Sequence, residues 1–176
     1  MKATGIVRRI DDLGRVVIPK EIRRTMRIRE GDPLEIFTNN NGEVIFKKYS
    51  PMGEMASFAF DFAAALSEGT KLTVIICDRD HCIAVGGGAK KDLLEKAVSA
   101  ELQKICEERK LYQSKKDRFI ALDDVEQPLL AAMPVIAAGD IIGCVALLSN
   151  DQQTEAHEND LKLIEIAARF LASRSE

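Results

Sequence analysis

Tryptophan is absent from this chain of 176 residues, and histidine occurs only at His81 and His157. Neither histidine belongs to a nucleophile motif, and no pair of carboxylates stands in an apolar frame, so the sequence does not predict an enzyme. The longest apolar run has ten residues and is interrupted by Pro134, whereas a membrane-spanning helix needs about 20 apolar residues. No secretory signal is recognisable near the start. We therefore expect a cytoplasmic protein without a membrane partner.

Cysteine is absent from the first 76 residues, and the chain has Cys77, Cys82, Cys106 and Cys144 beyond them. Without an export signal, these residues are expected to be reduced, half-buried thiols. Cys77, His81 and Cys82 are close in sequence, but a structural zinc site needs four ligands, usually as two close pairs. The sequence therefore predicts neither a metal site nor a cofactor.

Acidic residues are scarce among the first 50 residues, which hold 11 Lys and Arg against 7 Asp and Glu, a net charge of +4. The remaining 126 residues hold 14 against 21, a net charge of −7. A basic segment joined to an acidic one contacts a polyanion through one end only. We call residues 1–50 the head and residues 54–176 the body, with residues 51–53 as the predicted linker.

The head is predicted to contain four strands and one helix in the order ββαββ. Turn-forming residues follow the first strand at 11–14, and β-branched residues mark the second. Pro19 suits the first position of a helix, which should continue to about Arg27. Asn41 and Gly42 stand between two further strands, as is typical of a hairpin. The predicted elements are residues 5–10, 15–18, 19–27, 34–38 and 43–49.

Seven basic residues of the head are candidate DNA ligands: Arg8, Arg9, Arg15, Lys20, Arg23, Arg24 and Arg27. The last four are spaced i, i+3, i+4 and i+7, which places them along one side of the predicted helix. The alternative is a charged face that contacts only solvent. Arginine binds phosphate through a planar fork and also reads narrow minor grooves or guanine edges, so the predominance of Arg favours double-stranded DNA.

The head is too small to fold on its own. Below about 60 residues, a domain without a disulfide or a metal usually needs a partner to bury enough surface. The head contains no cysteine, so neither of these covalent or metal supports is available. We therefore expect an obligate homodimer.

The run from Thr4 to Pro19, followed by Glu21 to Arg24, resembles the AbrB family of bacterial transition-state regulators. The similarity extends nearly without gaps over residues 1–50. It implies that two chains interleave as a swapped-hairpin β-barrel that binds degenerate, A·T-rich DNA. It further implies DNA contacts by the arginines at four matching positions, with Arg9 close by: Arg8, Arg15, Arg23 and Arg24. Lys20 and Arg27 are candidates from helical spacing alone.

The body is predicted to be an antiparallel sheet with flanking helices, in the order αββαβββα. The predicted elements are residues 54–66, 71–77, 82–85, 93–109, 119–122, 129–138, 141–149 and 154–172. Apolar alternation at Met133–Ile136 and Ile142–Leu148 resembles a GAF domain. With the head, this gives an α+β protein with two domains.

Two features of the body suggest binding sites. Phe58, Phe60 and Phe62 lie on a helix that is apolar on more than one face, which predicts a second interface and a homotetramer. A loop of three glycines and a lysine is the predicted rim of a ligand pocket, together with residues 111–124: Gly86, Gly87, Gly88 and Lys90. This loop lacks the Walker spacing, and the alternative is a loop with unusual dihedral angles.

These patterns predict a bacterial transcription regulator, an activator or a repressor, associated with the nucleoid. The resemblance of the whole chain to two-domain sporulation regulators of this family implies that it controls sporulation-stage genes. Two alternatives remain. One is an antitoxin of the MazE type, which shares the head but carries a short toxin-wrapping tail. The other is a small-molecule sensor whose basic head serves only for dimerisation.

Overall fold

The computed structural model describes residues 4–88, 90–115 and 118–175. The chain divides between Tyr49 and Ser50 into two compact units, which correspond to the head and the body and are described separately. None of the helices within these ranges combines the length and the apolar character needed to cross a membrane.

The regular elements of the described head are one short helix and one β-hairpin. Helix α1 is Lys20–Thr25, strand β1 is Leu34–Thr38 and strand β2 is Val44–Lys48. The two strands pair antiparallel, from Leu34 opposite Lys48 to Thr38 opposite Val44. The predicted hairpin is therefore confirmed, because the Asn-Gly turn and the alternating segments specify it locally.

The first two predicted strands, residues 5–10 and 15–18, form no strand pairing among the described residues of the single chain. A strand exists only where a neighbour accepts and donates its backbone hydrogen bonds, and local sequence does not supply that neighbour. The turn between these segments is present as predicted. The Asp11 N–H donates to the Arg15 carbonyl at 3.0 Å, and the Gly14 N–H donates to the Asp11 carbonyl at 3.0 Å.

The side chain of Asp11 completes this first turn. Its Oδ1 accepts hydrogen bonds from the backbone N–H of Leu13 at 3.0 Å and of Arg15 at 2.8 Å. Gly14, at the fourth position of the turn, has a φ of +75°, which glycine adopts without strain. The turn is thus closed by residues within five positions of one another.

The turn between β1 and β2 repeats this pattern with different residues. Asn39 Oδ1 accepts from the backbone N–H of Asn41 and of Glu43, each at 3.1 Å. The Asn39 N–H donates to the Glu43 carbonyl at 3.3 Å, and Gly42 has a φ of +76°. The head therefore contains two equivalent five-residue closures, one on each side of α1.

The sheet of the body has five antiparallel strands in the order β4-β3-β7-β6-β5. The strands are β3 (Thr73–Asp78), β4 (Cys82–Gly86), β5 (Tyr112–Gln113), β6 (Leu129–Ala137) and β7 (Asp140–Leu148). Strand β3, between β4 and β7, is buried along almost its whole length. The sheet is therefore covered on both faces.

The described residues of the body form five helices: α2 (Pro51–Glu54), α3 (Ala56–Thr70), α4 (Lys90–Leu93), α5 (Ala100–Glu107) and α6 (Glu158–Ser173). Helices α3 and α6 pack on one face of the sheet around Ala63, Val145 and Ile164, in what we call the first core. Helix α5 packs on the other face around Ile75 and Leu102, in the second core. This arrangement confirms an antiparallel sheet with helices.

Residues 51–53, predicted to be a linker, are the first residues of α2. The Ser50 hydroxyl accepts a hydrogen bond from the Gly53 N–H at 3.1 Å and caps this helix. Met52 is fully buried in the first core. The polar residues at this junction suggested a hinge, but burial of the methionine side chain makes the segment part of the body.

The predicted long helix over residues 93–109 is wrong. Glu95 has a φ of +63°, and its N–H donates to the Cys82 carbonyl at 2.9 Å. Val98 then pairs with Leu122 in an isolated bridge, and Ser99 caps the start of α5. Backbone pairing with β4 and with the distant segment near 122 therefore replaces the helix that the apolar period predicted.

Three smaller predictions for the body also need correction. Residues 119–122 form isolated bridges rather than a strand, because Ile120 and Leu122 pair with different neighbours. Strand β5 was not predicted, since its two residues leave no periodic pattern. The last helix, predicted to begin at residue 154, begins at Glu158. Asp160 in its first turn accepts a hydrogen bond from the His157 N–H at 2.8 Å.

Candidate nucleic-acid interface

The structure leaves the candidate DNA ligands of the head accessible. Arg23 is half-buried and the other six are exposed: Arg8, Arg9, Arg15, Lys20, Arg24 and Arg27. Arg8 and Arg9 precede the first turn, and Arg15 closes it. Three cations lie on α1 at the predicted i, i+3 and i+4 spacing, and Glu21 is the acidic residue of its first turn.

Arg15 is held in place by Asp11. The Arg15 Nε donates to Asp11 Oδ2 at 2.8 Å, while the Arg15 N–H donates to Asp11 Oδ1. The backbone hydrogen bond from Arg15, followed by the one from its guanidinium, holds the pKa of Asp11 below its usual value of 3.8. The ion pair is exposed, so its main effect is to fix the direction of the arginine. Turn-forming residues predicted the turn at Asp11 but not its contact with Arg15.

Arg27 does not continue the line of cations along α1, contrary to the sequence prediction. The helix ends at Thr25, and Arg27 has a φ of +51°. The Arg27 N–H donates to the Arg24 carbonyl at 3.3 Å and the Ile28 N–H to the Arg23 carbonyl at 2.7 Å, the pattern of a Schellman motif. The basic side of α1 therefore consists of Lys20, Arg23 and Arg24.

Lys48 joins the segment after α1 to the hairpin. Its Nζ donates to the Arg27 carbonyl at 3.0 Å and lies 3.5 Å from Asp32 Oδ2. The same Asp32 oxygen accepts from the Arg29 N–H at 2.8 Å. These contacts position α1 relative to β2, and the sequence offered no pattern from which to predict them.

Many apolar side chains of the head are exposed within a single chain. Each of them lies in a predicted strand, turn or helix and has a large exposed fraction: Ile6, Val7, Ile10, Leu13, Val16, Val17, Met26, Ile36, Phe37, Val44, Ile45, Phe46 and Tyr49. Val7 is 87% exposed and Val17 is 70% exposed. Exposure on this scale is unusual for a folded unit and is typical of a surface that binds another molecule.

In the body, the predicted glycine loop reaches a cleft of about 530 Å³. Gly87 and Gly88 line it, together with Ser67 and Lys71 of the α3 end and with residues 150–152 after β7. Gly86 is buried in β4, and neither it nor Lys90 lines the cleft. None of the described residues within 111–124 belongs to its lining, so of the predicted rim only the two central glycines lie at this cleft.

Gly86 has a packing role. A Cβ atom at this position would lie 1.8 Å from the Ala63 carbonyl oxygen, so only glycine permits the close approach of β4 to α3. At Gly87, a Cβ atom would lie 2.4 Å from Ser67 Oγ, which donates to the Leu72 carbonyl at 2.7 Å. The glycines therefore allow the strand, the loop and the helix end to pack together.

An aromatic cluster connects α3 and α6. Phe58, Phe62 and Phe170 have ring centroids 5.5 to 5.8 Å apart. The Arg174 guanidinium lies 5.5 Å from the centroid of Phe58. Phe58, Phe60 and Phe62 are all half-buried and pack against the first core. The more exposed apolar residues at this face belong to α6, where Phe170 is 41% and Ile166 is 65% exposed.

Comparisons with known proteins identify the family. Residues 54–176 match the family described as Stage V sporulation protein T C-terminal, transcription factor. The whole chain is 50% identical over 179 residues to Stage V sporulation protein T of Bacillus subtilis (strain 168), covering 100% of this chain and 99% of that protein. The chain belongs to the stage V sporulation protein T family. This confirms the predicted sporulation transcription regulator, which is not an enzyme.

The head of this stage V sporulation protein T homologue has its own relatives. Residues 7–53 match the family described as Antidote-toxin recognition MazE, bacterial antitoxin. A stretch of 51 residues is 59% identical to the transition state regulatory protein AbrB of Bacillus subtilis (strain 168), covering 29% of this chain and 52% of that protein. The resemblance of the head to AbrB is therefore confirmed.

The body of this family member has a fold found in other proteins. Residues 122 to 287 of a methyl-accepting chemotaxis protein superpose with a TM-score of 0.54 at 16% identity, covering 69% of this chain and 88% of that one. At this identity the likeness concerns the fold alone.

Proposed function

We propose that this regulator binds double-stranded DNA through a homodimer of heads, with the swapped-hairpin β-barrel arrangement of the AbrB family. The observation that carries the proposal is the exposure of large apolar residues throughout the head, beside cations that remain accessible. A second copy of the same chain supplies both the apolar surface and the strand neighbours that residues 5–10 and 15–18 lack in one chain.

In this proposed dimer, the DNA is contacted by the part of the head that carries the cations. Lys20 and Arg24 lie exposed and Arg23 half-buried on α1, and Arg8, Arg9 and Arg15 come from the segments on either side of the first turn. Such a surface binds mainly phosphates, and it discriminates between sequences through DNA shape and deformability. We therefore propose degenerate, A·T-rich sites at sporulation-stage genes, where the bound protein activates or represses transcription in association with the nucleoid.

The body is proposed to be a GAF-like domain that joins two dimers into a homotetramer. The face formed by Phe58, Phe62, Ile166 and Phe170 supports this role, because exposed apolar residues next to an aromatic cluster suit an isologous contact. Phe60 is also half-buried against the first core, but it is not one of the three rings of this cluster and is a less direct candidate for the interface than the sequence suggested.

The cleft beside Gly87 and Gly88 is the proposed ligand site of this domain. Its walls combine Lys71, Glu68 and the Asn150 loop with the apolar Leu72, as a site for a small polar metabolite requires. Asn150 Nδ2 donates to the Lys71 carbonyl at 2.8 Å, which fixes one wall. A ligand here would change the affinity for DNA only if it bound the DNA-competent state and the incompetent state with different affinities. Such coupling typically changes the affinity for DNA by about 5- to 150-fold.

The experiment that tests the DNA proposal is a titration of fluorescent duplexes with the full chain. An A·T-rich duplex and a G·C-rich duplex of equal length are compared at several salt concentrations. We expect dimeric or tetrameric protein to bind with a steep salt dependence and to prefer the A·T-rich duplex. Equal and salt-insensitive binding to both would contradict the proposal. A MazE-type antitoxin would instead co-purify with a small toxin, for which the structured body offers no extended tail.

A further inference from the structure

Three of the five asparagines of the chain are consecutive and lie in the turn between β1 and β2: Asn39, Asn40 and Asn41. Gly42 follows them, and all four residues of this turn are exposed. The other two asparagines belong to the body. The five side chains share one chemistry, but the structure holds them differently.

An asparagine side chain can react with the backbone nitrogen of the residue that follows it. This nitrogen attacks the side-chain amide carbon, a carbon–nitrogen bond closes a succinimide, and the amide NH2 leaves as ammonia with the proton of the attacking N–H. Water then opens the cyclic imide at either carbonyl and gives aspartate or isoaspartate. The reaction needs only water as co-reactant. It is fastest before glycine, because glycine has no side chain to hinder the approach of its nitrogen.

The side chain of Asn39 is held by hydrogen bonds at both of its polar atoms. Its Oδ1 accepts from the N–H of Asn41 and of Glu43, each at 3.1 Å. Its Nδ2 donates to the carboxylate of Glu43. These bonds must break before the amide carbon of Asn39 can turn toward the next backbone nitrogen.

The two asparagines of the body are also held in place. Asn150 Oδ1 accepts from the N–H of Gln152 at 2.9 Å and of Gln153 at 2.8 Å. Its Nδ2 donates to the Lys71 carbonyl at 2.8 Å. Asn159 lies in α6, where the helix fixes the backbone on both sides of it. Neither residue is free to close a succinimide in the folded protein.

Asn41 lacks these restraints. Within the described part of the chain, the side chains of Asn40 and Asn41 make no hydrogen bond. Asn40 precedes a residue with a side chain, whereas Asn41 precedes Gly42. The Gly42 N–H donates to the Asn39 carbonyl at 3.2 Å, which is at the long end of the range for such hydrogen bonds. Opening of this exposed turn therefore frees the attacking nitrogen.

We propose that Asn41 is a site of spontaneous deamidation, at which the Gly42 nitrogen displaces ammonia and the turn acquires a carboxylate. The product lowers the net charge of residues 1–50 from +4 to +3. Isoaspartate also adds a methylene group to the backbone, next to the pairing of Thr38 with Val44.

The added negative charge has a consequence for DNA binding. A less basic head attracts a polyanion less strongly, so deamidated protein should bind DNA more weakly than fresh protein. This consequence rests on the proposed binding of DNA by the head, whereas the modification itself does not.

The modification is tested by peptide mapping of the full-length native protein during incubation in mildly alkaline buffer. Deamidation replaces NH2 by OH, so mass spectrometry detects the heavier peptide and its fragments assign the position. We expect conversion at Asn41 before any at the other four asparagines. Protein incubated in guanidinium chloride is the control, since its turn is unfolded. The proposal is overturned if native Asn41 persists when the denatured control has reacted, or if another native asparagine converts as fast.

Two variants test whether the turn controls the reaction. Asn39→Ala removes the oxygen that accepts from the Asn41 N–H, so it should accelerate conversion at Asn41. Asn40→Ala is the matched control, because the Asn40 side chain makes no such bond, and it should leave the rate unchanged. Equal rates in the two variants would overturn the control of the reaction by Asn39.

The effect on DNA is measured by fluorescence anisotropy with fresh and incubated full-length protein. Wild type should lose affinity on incubation. Asn41→Gln should not, because its longer side chain would have to close a larger ring, and Asn41→Asp should bind more weakly from the outset. Equal affinities of fresh and converted wild type would overturn the effect on DNA. If fresh wild type did not bind DNA, the proposed function would fail, while the peptide map would still decide the modification.

Discussion

The Asp11 carboxylate binds both the backbone N–H and the guanidinium of Arg15, so one acidic side chain closes the first turn and directs a candidate DNA ligand. The two functions are coupled. A change at Asp11 alters the turn that links the first two segments of the head and also the presentation of Arg15.

Asp11 makes the stability of the head depend on acidic pH. Because its folded pKa lies below 3.8, the stabilisation is present above that value and is lost as the pH falls through the lower folded pKa. We expect the unfolding temperature of wild type to decrease more steeply than that of Asp11→Asn between about pH 5 and pH 3. Thermal melts of the full chain followed by circular dichroism measure this. Asp12→Asn is the matched control. If the unfolding temperatures of both variants decreased with pH as steeply as that of wild type, the role of Asp11 would be contradicted.

Arg23→Ala combined with Arg24→Ala should abolish specific DNA binding without unfolding the head, since alanine is a strong helix former at both positions. If Arg8, Arg15, Arg23 and Arg24 of each subunit contact phosphates in a dimer, about 8 are neutralised and the log–log salt slope is near −7. Fluorescence anisotropy at several salt concentrations gives the slope. Arg169→Ala, which removes an exposed cation of the body, should leave it unchanged. A wild-type slope shallower than about −3 would exclude the arginine surface as the footprint.

Arg27→Gly should stabilise the protein relative to Arg27→Ala. Both variants remove the same side chain, but position 27 has a φ of +51° that alanine adopts only with strain. We expect the free energy of unfolding to be higher by about 1 kcal/mol in the glycine variant. Urea denaturation of the two variants measures the difference. Equal stabilities would show that the Schellman motif after α1 is not maintained in solution.

Gly86→Ala should destabilise the body strongly, because the added Cβ atom would overlap the Ala63 carbonyl oxygen. We expect a loss of about 2 to 4 kcal/mol in the free energy of unfolding. Gly69→Ala is the control. It lies in α3, its added Cβ atom would be 3.6 Å from Leu163 Cδ1, and it should stabilise the protein by about 0.5 to 1 kcal/mol. A neutral Gly86→Ala would contradict the close approach of β4 to α3 at this position.

Ile166→Glu should convert the proposed tetramer into dimers. Ile166 is 65% exposed in the single chain, so the fold tolerates the change, whereas a charge buried in an apolar interface costs several kcal/mol. Light scattering gives the mass. Lys104→Glu is the control. It introduces a glutamate on α5, which covers the opposite face of the sheet, and should leave the mass unchanged. A tetrameric Ile166→Glu would exclude this face as the interface.

Local sequence was sufficient for some elements of the fold and not for others. The strand Leu34–Thr38 was predicted at its exact bounds because turn chemistry and alternation both lie within the hairpin. Residues 93–109 have a clear helical period, yet the left-handed Glu95 and the bridge from Val98 to Leu122 break it. Their partners lie far away in the sequence, so no local pattern contains them.

The same distinction applies to the candidate DNA interface. Lys20, Arg23 and Arg24 were placed correctly because helical spacing alone determines their common side. Arg27 was placed wrongly because the helix ends before it, and an arginine in a left-handed conformation gives no sequence indication of a helix end. The four thiols were expected to be half-buried, whereas all four are buried in the second core. The register of β3 with β4 and β7 places three of them on neighbouring strands and is not visible in their spacing.

The two equivalent five-residue turns of the head have a consequence for the order of its assembly. Each turn is closed by atoms no more than four residues apart, so both can form in microseconds at any protein concentration. In the proposed dimer, the apolar segments next to the first turn are covered only when a second chain arrives, a step whose rate rises with concentration. Chains that have just been synthesised would therefore carry two preformed turns before they meet a partner. The slow step in producing a DNA-competent head is then the encounter of two chains rather than the folding of either one.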